Sequence, residues 1–201
     1  MATVARAFAD TGVLTIGHSN HAMEHFLDLL RRHSVQVVAD VRSHPYSKYA
    51  SEFNHEPLAE ALREAGFKYV YLGAELGGRP REDGYYDRDG RVLYDKVAAS
   101  PAFQDGLARL KNGMRQHIVA LLCAEEDPAG CHRRLLVGRV LTEGGIRVSH
   151  IRGDGRLQTE TELRSAETRD QLGLFEEMET APWKSIPSVS QKRRQSSSSA
   201  F

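Results

Sequence analysis

Five short apolar runs, rich in β-branched residues, alternate with four longer stretches whose apolar residues recur at helical spacing. The runs are Val13-Leu14-Thr15-Ile16 and residues 35–41, 67–72, 118–122 and 146–151. Residues 35–41 (VQVVADV) are too continuously apolar for one face to lie in water, as expected of a buried parallel strand. After the first run, Met23, Phe26, Leu27 and Leu30 fall at i, i+3, i+4 and i+7, the stripe of a helix that Ser19 or Asn20 can cap. Pro57, Leu58 and Leu62 start a second helix that Gly66 ends. Ser100-Pro101 opens a third, carrying Phe103, Leu107 and Leu110 and stopping at Asn112-Gly113. A fourth, over 132–143, carries Leu135, Leu136, Val140 and Leu141 on one side. Strands joined by helices need right-handed crossovers. The expected fold is an open, mostly parallel sheet of about five strands with helices on both faces, a Rossmann-like three-layer α/β sandwich.

The domain takes up residues 13–152, after an N-terminal extension over 1–12. Residues 73–94 fall outside the rhythm: five glycines among charges and aromatics make a long excursion, of a length that suits a lid. From Gly153 the apolar pattern fades, so 153–201 is expected to be a polar, largely disordered tail, serine-rich near its end. Lys+Arg and Asp+Glu both number 27, which excludes binding to nucleic acid by bulk positive charge but not by a local basic cleft. No apolar run is long enough to cross a membrane, and the opening residues lack the apolar core of a secretory signal. Two cysteines are no disulfide scaffold, so the cytoplasm is the expected compartment.

Polar clusters follow four of the strands: His18-Ser19; Asp40, Arg42 and Ser43; Gly73 and Glu75; Cys123 and Glu125. Ligands of open α/β sheets bind outside the carboxyl ends of the strands, so these clusters converge where a site is expected. The densest runs from Cys123 through Glu125, Cys131, His132 and Arg133 to Arg134. Three chemistries compete there. Cys123, Cys131, His132 and a distant His18 could ligate zinc or iron, although seven residues between the cysteines is not the short spacing of a zinc knuckle. Cys131 could be a thiolate nucleophile at the start of a helix. Asp40 and Glu125 could act as acid and base, with His18, Ser19, Arg42, His132 and Arg133 holding an anionic substrate. The third is favoured.

Together, Thr15-Ile16-Gly17-His18-Ser19, Asp40-Val41-Arg42 with Pro45, Leu76-Gly77-Gly78 and the block from Cys123 to Arg133 resemble the domain-of-unknown-function 488 family over roughly residues 13–150. The resemblance implies a compact α/β domain with a shared site; it implies no particular reaction.

Two further features bear on partners. Gln171-Leu172-Gly173-Leu174-Phe175 looks like the pentapeptide by which bacterial repair and replication proteins dock on the sliding clamp; the alternative is that Leu172, Leu174 and Phe175 pack back on the domain. Tyr46, Lys48, Tyr49 and Phe53 interleave aromatics with a basic residue, as a base-stacking surface does, and Arg79, Arg81, Tyr85, Tyr86 and Arg88 repeat the mixture. The leading expectation is an enzyme acting on a nucleotide, a nucleobase or damaged DNA, with hydrolysis of an N-glycosidic bond as one fit. Its rival is a metal- or thiol-binding regulatory module, without turnover, built on Cys123, Cys131 and His132. No cofactor is identified by any motif.

Overall fold

The computed structural model describes residues 12–171 and 183–186. The six strands are β1 (Val13–Gly17), β2 (Val37–Asp40), β3 (Lys68–Tyr71), β4 (Val119–Cys123), β5 (Val148–Ile151) and β6 (Leu157–Thr159). They form one sheet in the order β3-β2-β4-β1-β5-β6. The first five are parallel, and β6 returns antiparallel along β5. The helices are α1 (Met23–Arg32), α2 (His55–Glu64), α3 (Gly73–Leu76), α4 (Tyr94–Ala99), α5 (Pro101–Met114), α6 (Arg139–Glu143) and α7 (Glu160–Gln171). This is the expected three-layer α/β architecture with one strand more.

Side chains alternate strictly across the sheet, as a period of two demands. Val13, Val37, Ala39, Val119, Leu121 and Val148 face the layer that holds α5 and α6. Leu14, Ile16, Val38, Ala120, Leu122 and Ile151 face α1 and α2. Each central strand is therefore apolar on both faces. Phe26, Leu29 and Leu30 of α1 and Leu58 and Leu62 of α2 close one side; Phe103, Leu107 and Leu110 of α5 and Leu136, Val137 and Leu141 close the other. Such side chains are each worth about 1.5–3 kcal/mol when withdrawn from water.

Three local expectations change. The residue before α1 is Ala22, which gives no side-chain cap; Ser19 instead takes a left-handed turn (φ 46°), and its N–H bonds the Ala124 carbonyl. Residues 133–138 are π-helical rather than α-helical, and α6 follows directly. The wider turn moves Val137 into the core and leaves Leu135 at its margin. Finally, the chain does not lose order at residue 153: a hairpin leads into β6 and α7, so the boundary expected at 152 falls between two paired strands. Besides the β5–β6 ladder and the buried Leu163, charge holds this segment to the domain. Arg134 is buried and pairs with Glu160 (3.0 Å) and Glu167 (2.6 Å), and His150 faces Glu160 at 3.3 Å. No apolar period announces such pairs. Of the clamp-like motif, Leu172 to Phe175 lie outside the described residues.

The excursion over 73–94 is compact: α3, a 3₁₀ turn at Asp83–Tyr85 and a bridge between Tyr86 and Val92 fold it against the domain. Trp183, Lys184 and Ser185 strap it down. Tyr94 N–H bonds the Trp183 carbonyl, Ser185 N–H bonds the Val92 carbonyl, and Lys184 pairs with Asp87 at 2.7 Å. The Trp183 indole donates to the Leu135 carbonyl (2.7 Å), tying the strap to the π-helical segment.

Candidate metal centre

The register that aligns Gly17 with Cys123 and Asp40 with Leu122 brings the ends of β1, β2 and β4 level. Beyond them His18 N–H bonds the Cys123 carbonyl, so the loops after β1 and β4 stay zipped together. The approach is very close: a Cβ on Gly17 would overlap the Glu125 carbonyl, and only glycine fits.

Cys123, at the end of β4, and Cys131 and His132, just before the π-helical segment, converge; their sulfurs and one imidazole nitrogen all lie within 4.8 Å of one another. His132 Nε2 is 2.9 Å from the Val41 carbonyl, to which it donates, so Nδ1 is the nitrogen that faces the sulfurs, 3.6 Å from Cys123 Sγ. Beside them, Glu125 Oε2 lies 3.3 Å from Cys123 Sγ and 3.4 Å from Cys131 Sγ. Burial alone would keep the Cys131 thiol protonated, but hydrogen bonds from Cys123 and His132 and the charge of Arg133 win, and its pKa lies well below the ordinary thiol value. Cys123 moves the other way, raised by its bond to Cys131 and by burial. His132 is disfavoured as a cation by burial, yet its bond to Cys131 raises its pKa.

Arg133 is fully buried and builds the loop above this cluster. It donates to the carbonyls of Glu125 and Glu126 and to Thr15 Oγ1. A Cβ on Gly78 would overlap the His132 ring, so the excursion can press its backbone onto the imidazole only at glycine. Tyr94, also fully buried, has a hydroxyl with no hydrogen-bond partner among the described residues. Burial raises its pKa, as do the charges of Cys131, Cys123 and Glu125.

A cavity of about 120 Å³ opens over the cluster, walled by Arg42, Ser43, Arg79, Cys123, Glu125 and His132. Of the site residues expected from sequence, Cys123, Glu125, Cys131 and His132 are thus brought together, and Arg42 stands at the cavity wall. The others serve different ends. The Asp40 carboxylate is fully buried behind Arg42; it accepts from Arg42 Nε and Nη2 (2.9 and 2.6 Å) and from the Tyr69 hydroxyl (2.8 Å), and it does not line the cavity that Glu125 lines. His18 donates from Nδ1 to the Ser19 carbonyl and accepts at Nε2 from Arg42, so neither nitrogen is open to a metal. Its ring stacks on Phe53 at 4.5 Å, and burial, with the Arg42 charge, lowers its pKa to about 4. The Ser19 hydroxyl bonds Asn20, and Tyr46 is exposed with its hydroxyl on Glu56. Ser43, one of the polar residues expected after β2, also lines the cavity, whereas Arg79 lies outside the strand-end clusters. Arg79 stood out in sequence only as part of a basic and aromatic mixture.

Fold and site together define an α/β domain with a cysteine- and histidine-lined centre at the carboxyl edge of its sheet. The family model for Domain of unknown function DUF488 matches residues 22–140, more than half of the chain, and the chain belongs to that family. No curated protein and no solved structure matches it.

Proposed function

We propose that this chain binds a divalent transition-metal ion, zinc by the chemistry of the donors, through Cys123, Cys131 and His132, with Glu125 able to complete the set. One observation carries the reading: the spacing of the donors. Zinc held at roughly 2.3 Å from sulfur and 2.0–2.1 Å from nitrogen or oxygen sets tetrahedral donor-to-donor edges of about 3.5 Å. The edges from Cys123 to His132, Cys123 to Glu125 and Cys131 to Glu125 are 3.6, 3.3 and 3.4 Å. A histidine anchored through its other nitrogen to a backbone carbonyl is the usual support of a metal ligand. When bound, the ion would supply a Lewis acid facing the arginine-walled cavity.

That position supports the wider proposal that the chain acts on a nucleotide, a nucleobase or damaged DNA, with hydrolysis as the reaction. Acid/base work by Asp40 is not part of it, because the Asp40 carboxylate is consumed by Arg42 and Tyr69. Two free cysteines suit a reducing compartment, the cytoplasm. Docking of residues 171–175 on a sliding clamp is a separate proposal, tested by calorimetry with the isolated peptide.

Elemental analysis of protein purified without a polyhistidine tag tests the metal reading. One zinc per chain, lost in Cys131→Ser, is expected. Metal-free protein that also fails to take up added zinc would overturn it, and rapid stoichiometric alkylation of Cys131 would then point to thiolate chemistry instead.

A further inference from the structure

The cavity over the cysteines adjoins a second, of about 360 Å³. Ser43, His44 and Arg79 wall both, so the two read as one bent site with a shared partition. Beyond that partition the larger chamber is lined by Tyr71, Arg81 and Tyr85. Its size falls within the range of small-molecule sites, roughly 300–1,000 Å³.

The charges are distributed unevenly. Arg42, Arg109 and Arg134 are each tied to a carboxylate, Asp40, Glu75 and Glu160 respectively. Arg79 and Arg81 are exposed at the cavity, and neither guanidinium is paired with a carboxylate among the described residues. Arg79 uses its backbone N–H on Ser43 Oγ, which sets the start of its side chain at the partition. Glu75 also lines the chamber but is taken by Arg109; Glu82 is the acidic group left at the rim. Tyr71 is fixed by its hydroxyl on the Ser43 carbonyl (3.3 Å), and Tyr85 accepts the Leu93 N–H at its carbonyl. Two guanidinium forks with no carboxylate partner among the described residues suit the oxygens of a phosphate, and tyrosine rings suit a planar base.

We propose that the larger chamber seats a mononucleotide, its phosphate between Arg79 at the partition and Arg81 beyond it, and its base against Tyr71 and Tyr85. The phosphate end would then lie toward Cys123 and His132. The proposal rests on the metal-centre reading for any chemistry, but not for binding.

Calorimetry on the full chain tests it with three probes: AMP, adenosine and inorganic phosphate. AMP should bind at least tenfold more tightly than either fragment. Arg79→Ala with Arg81→Ala should reduce AMP to the level of adenosine, while Tyr85→Ala should weaken AMP and adenosine and leave phosphate unchanged. All three positions are at the surface or only half-buried, so the variants should fold. No AMP binding at millimolar concentration, or AMP binding indifferent to both variants, would overturn the proposal. Repeating the titration on zinc-free Cys131→Ser separates the two readings. AMP binding retained there supports the nucleotide chamber by itself; zinc bound to the wild type without AMP binding sinks the chamber and leaves the metal centre standing.

Discussion

His132 Nε2 lies 2.9 Å from the carbonyl oxygen of Val41, across the gap between the end of β2 and the π-helical segment. That single bond decides which imidazole nitrogen meets the sulfurs. His132→Ala should therefore lose the ion and also the bond that joins two layers of the fold. We expect zinc affinity to fall at least a hundredfold and metal-free stability to drop by about 1 kcal/mol. Chelator competition and denaturant unfolding measure the two parts; zinc retained at wild-type affinity would remove His132 from the donor set.

Asp40→Asn should act on stability first. The substitution leaves the buried Arg42 guanidinium without its counter-charge, which costs about 3–5 kcal/mol. For a domain of this size that is a loss on the order of 10 °C in melting temperature. A melting temperature within two degrees of wild type would show that Asp40 is free for other work.

Buried, uncharged His18 makes the protein sensitive to mild acid. Its pKa is about 4 in the fold against 6.5 when unfolded, so between those values the unfolded chain binds the proton and the folded one does not. Stability should accordingly fall as pH drops from about 6.5 to 4, by roughly 3 kcal/mol at most from this group. Glu160, lowered to about 2 by His150 and Arg134 against the opposing effect of burial, adds a separate loss as pH falls through 4.5 toward 2. Unfolding midpoints across pH should show the first window flattened in His18→Asn and the second unchanged.

Glu160→Gln should loosen the C-terminal helix without unfolding the sheet. Glu160 is the meeting point of Arg134, His150 and Arg164. Hydrogen exchange over residues 160–167 should rise markedly while that of β1 and β4 stays slow. Equal exchange in wild type and variant would mean that Glu167 alone anchors the helix.

Tyr94→Phe removes a buried hydroxyl that has no hydrogen-bond partner among the described residues. Without metal the variant should match or exceed wild-type stability, by up to about 1 kcal/mol. With zinc bound the advantage should reverse if the hydroxyl meets the occupied cluster, so paired melting curves, with and without zinc, give the answer.

The strands and their faces were legible because every second residue from Val13 to Ile16 and from Val37 to Ala39 is claimed by one core or the other. The convergence of Cys123, Cys131 and His132 was legible too, since β4 and the following helix hold them at one edge. Asp40 was harder. Its two-residue spacing from Arg42 hints that both side chains leave the chain on one side, but nothing local says that Arg42 will be buried and need a counter-ion. The π-helical turn has no compositional mark, and the bonds of Arg134 to Glu160 and Glu167 join residues 26 and 33 positions apart, beyond the reach of any periodicity.

β6 has a consequence for how this domain avoids its own copies. It is only three residues long, yet it lies antiparallel on β5 and covers that side of the sheet. A chain cut at residue 152 would leave β5 as an open edge, with a row of unsatisfied N–H and C=O groups flanked by the buried Val148, His150 and Ile151. Such an edge pairs readily with another edge of its kind, so the shortened domain should self-associate by strand addition even where it folds. The short hairpin after β5 thus shields that side of the sheet from adding another copy's strand.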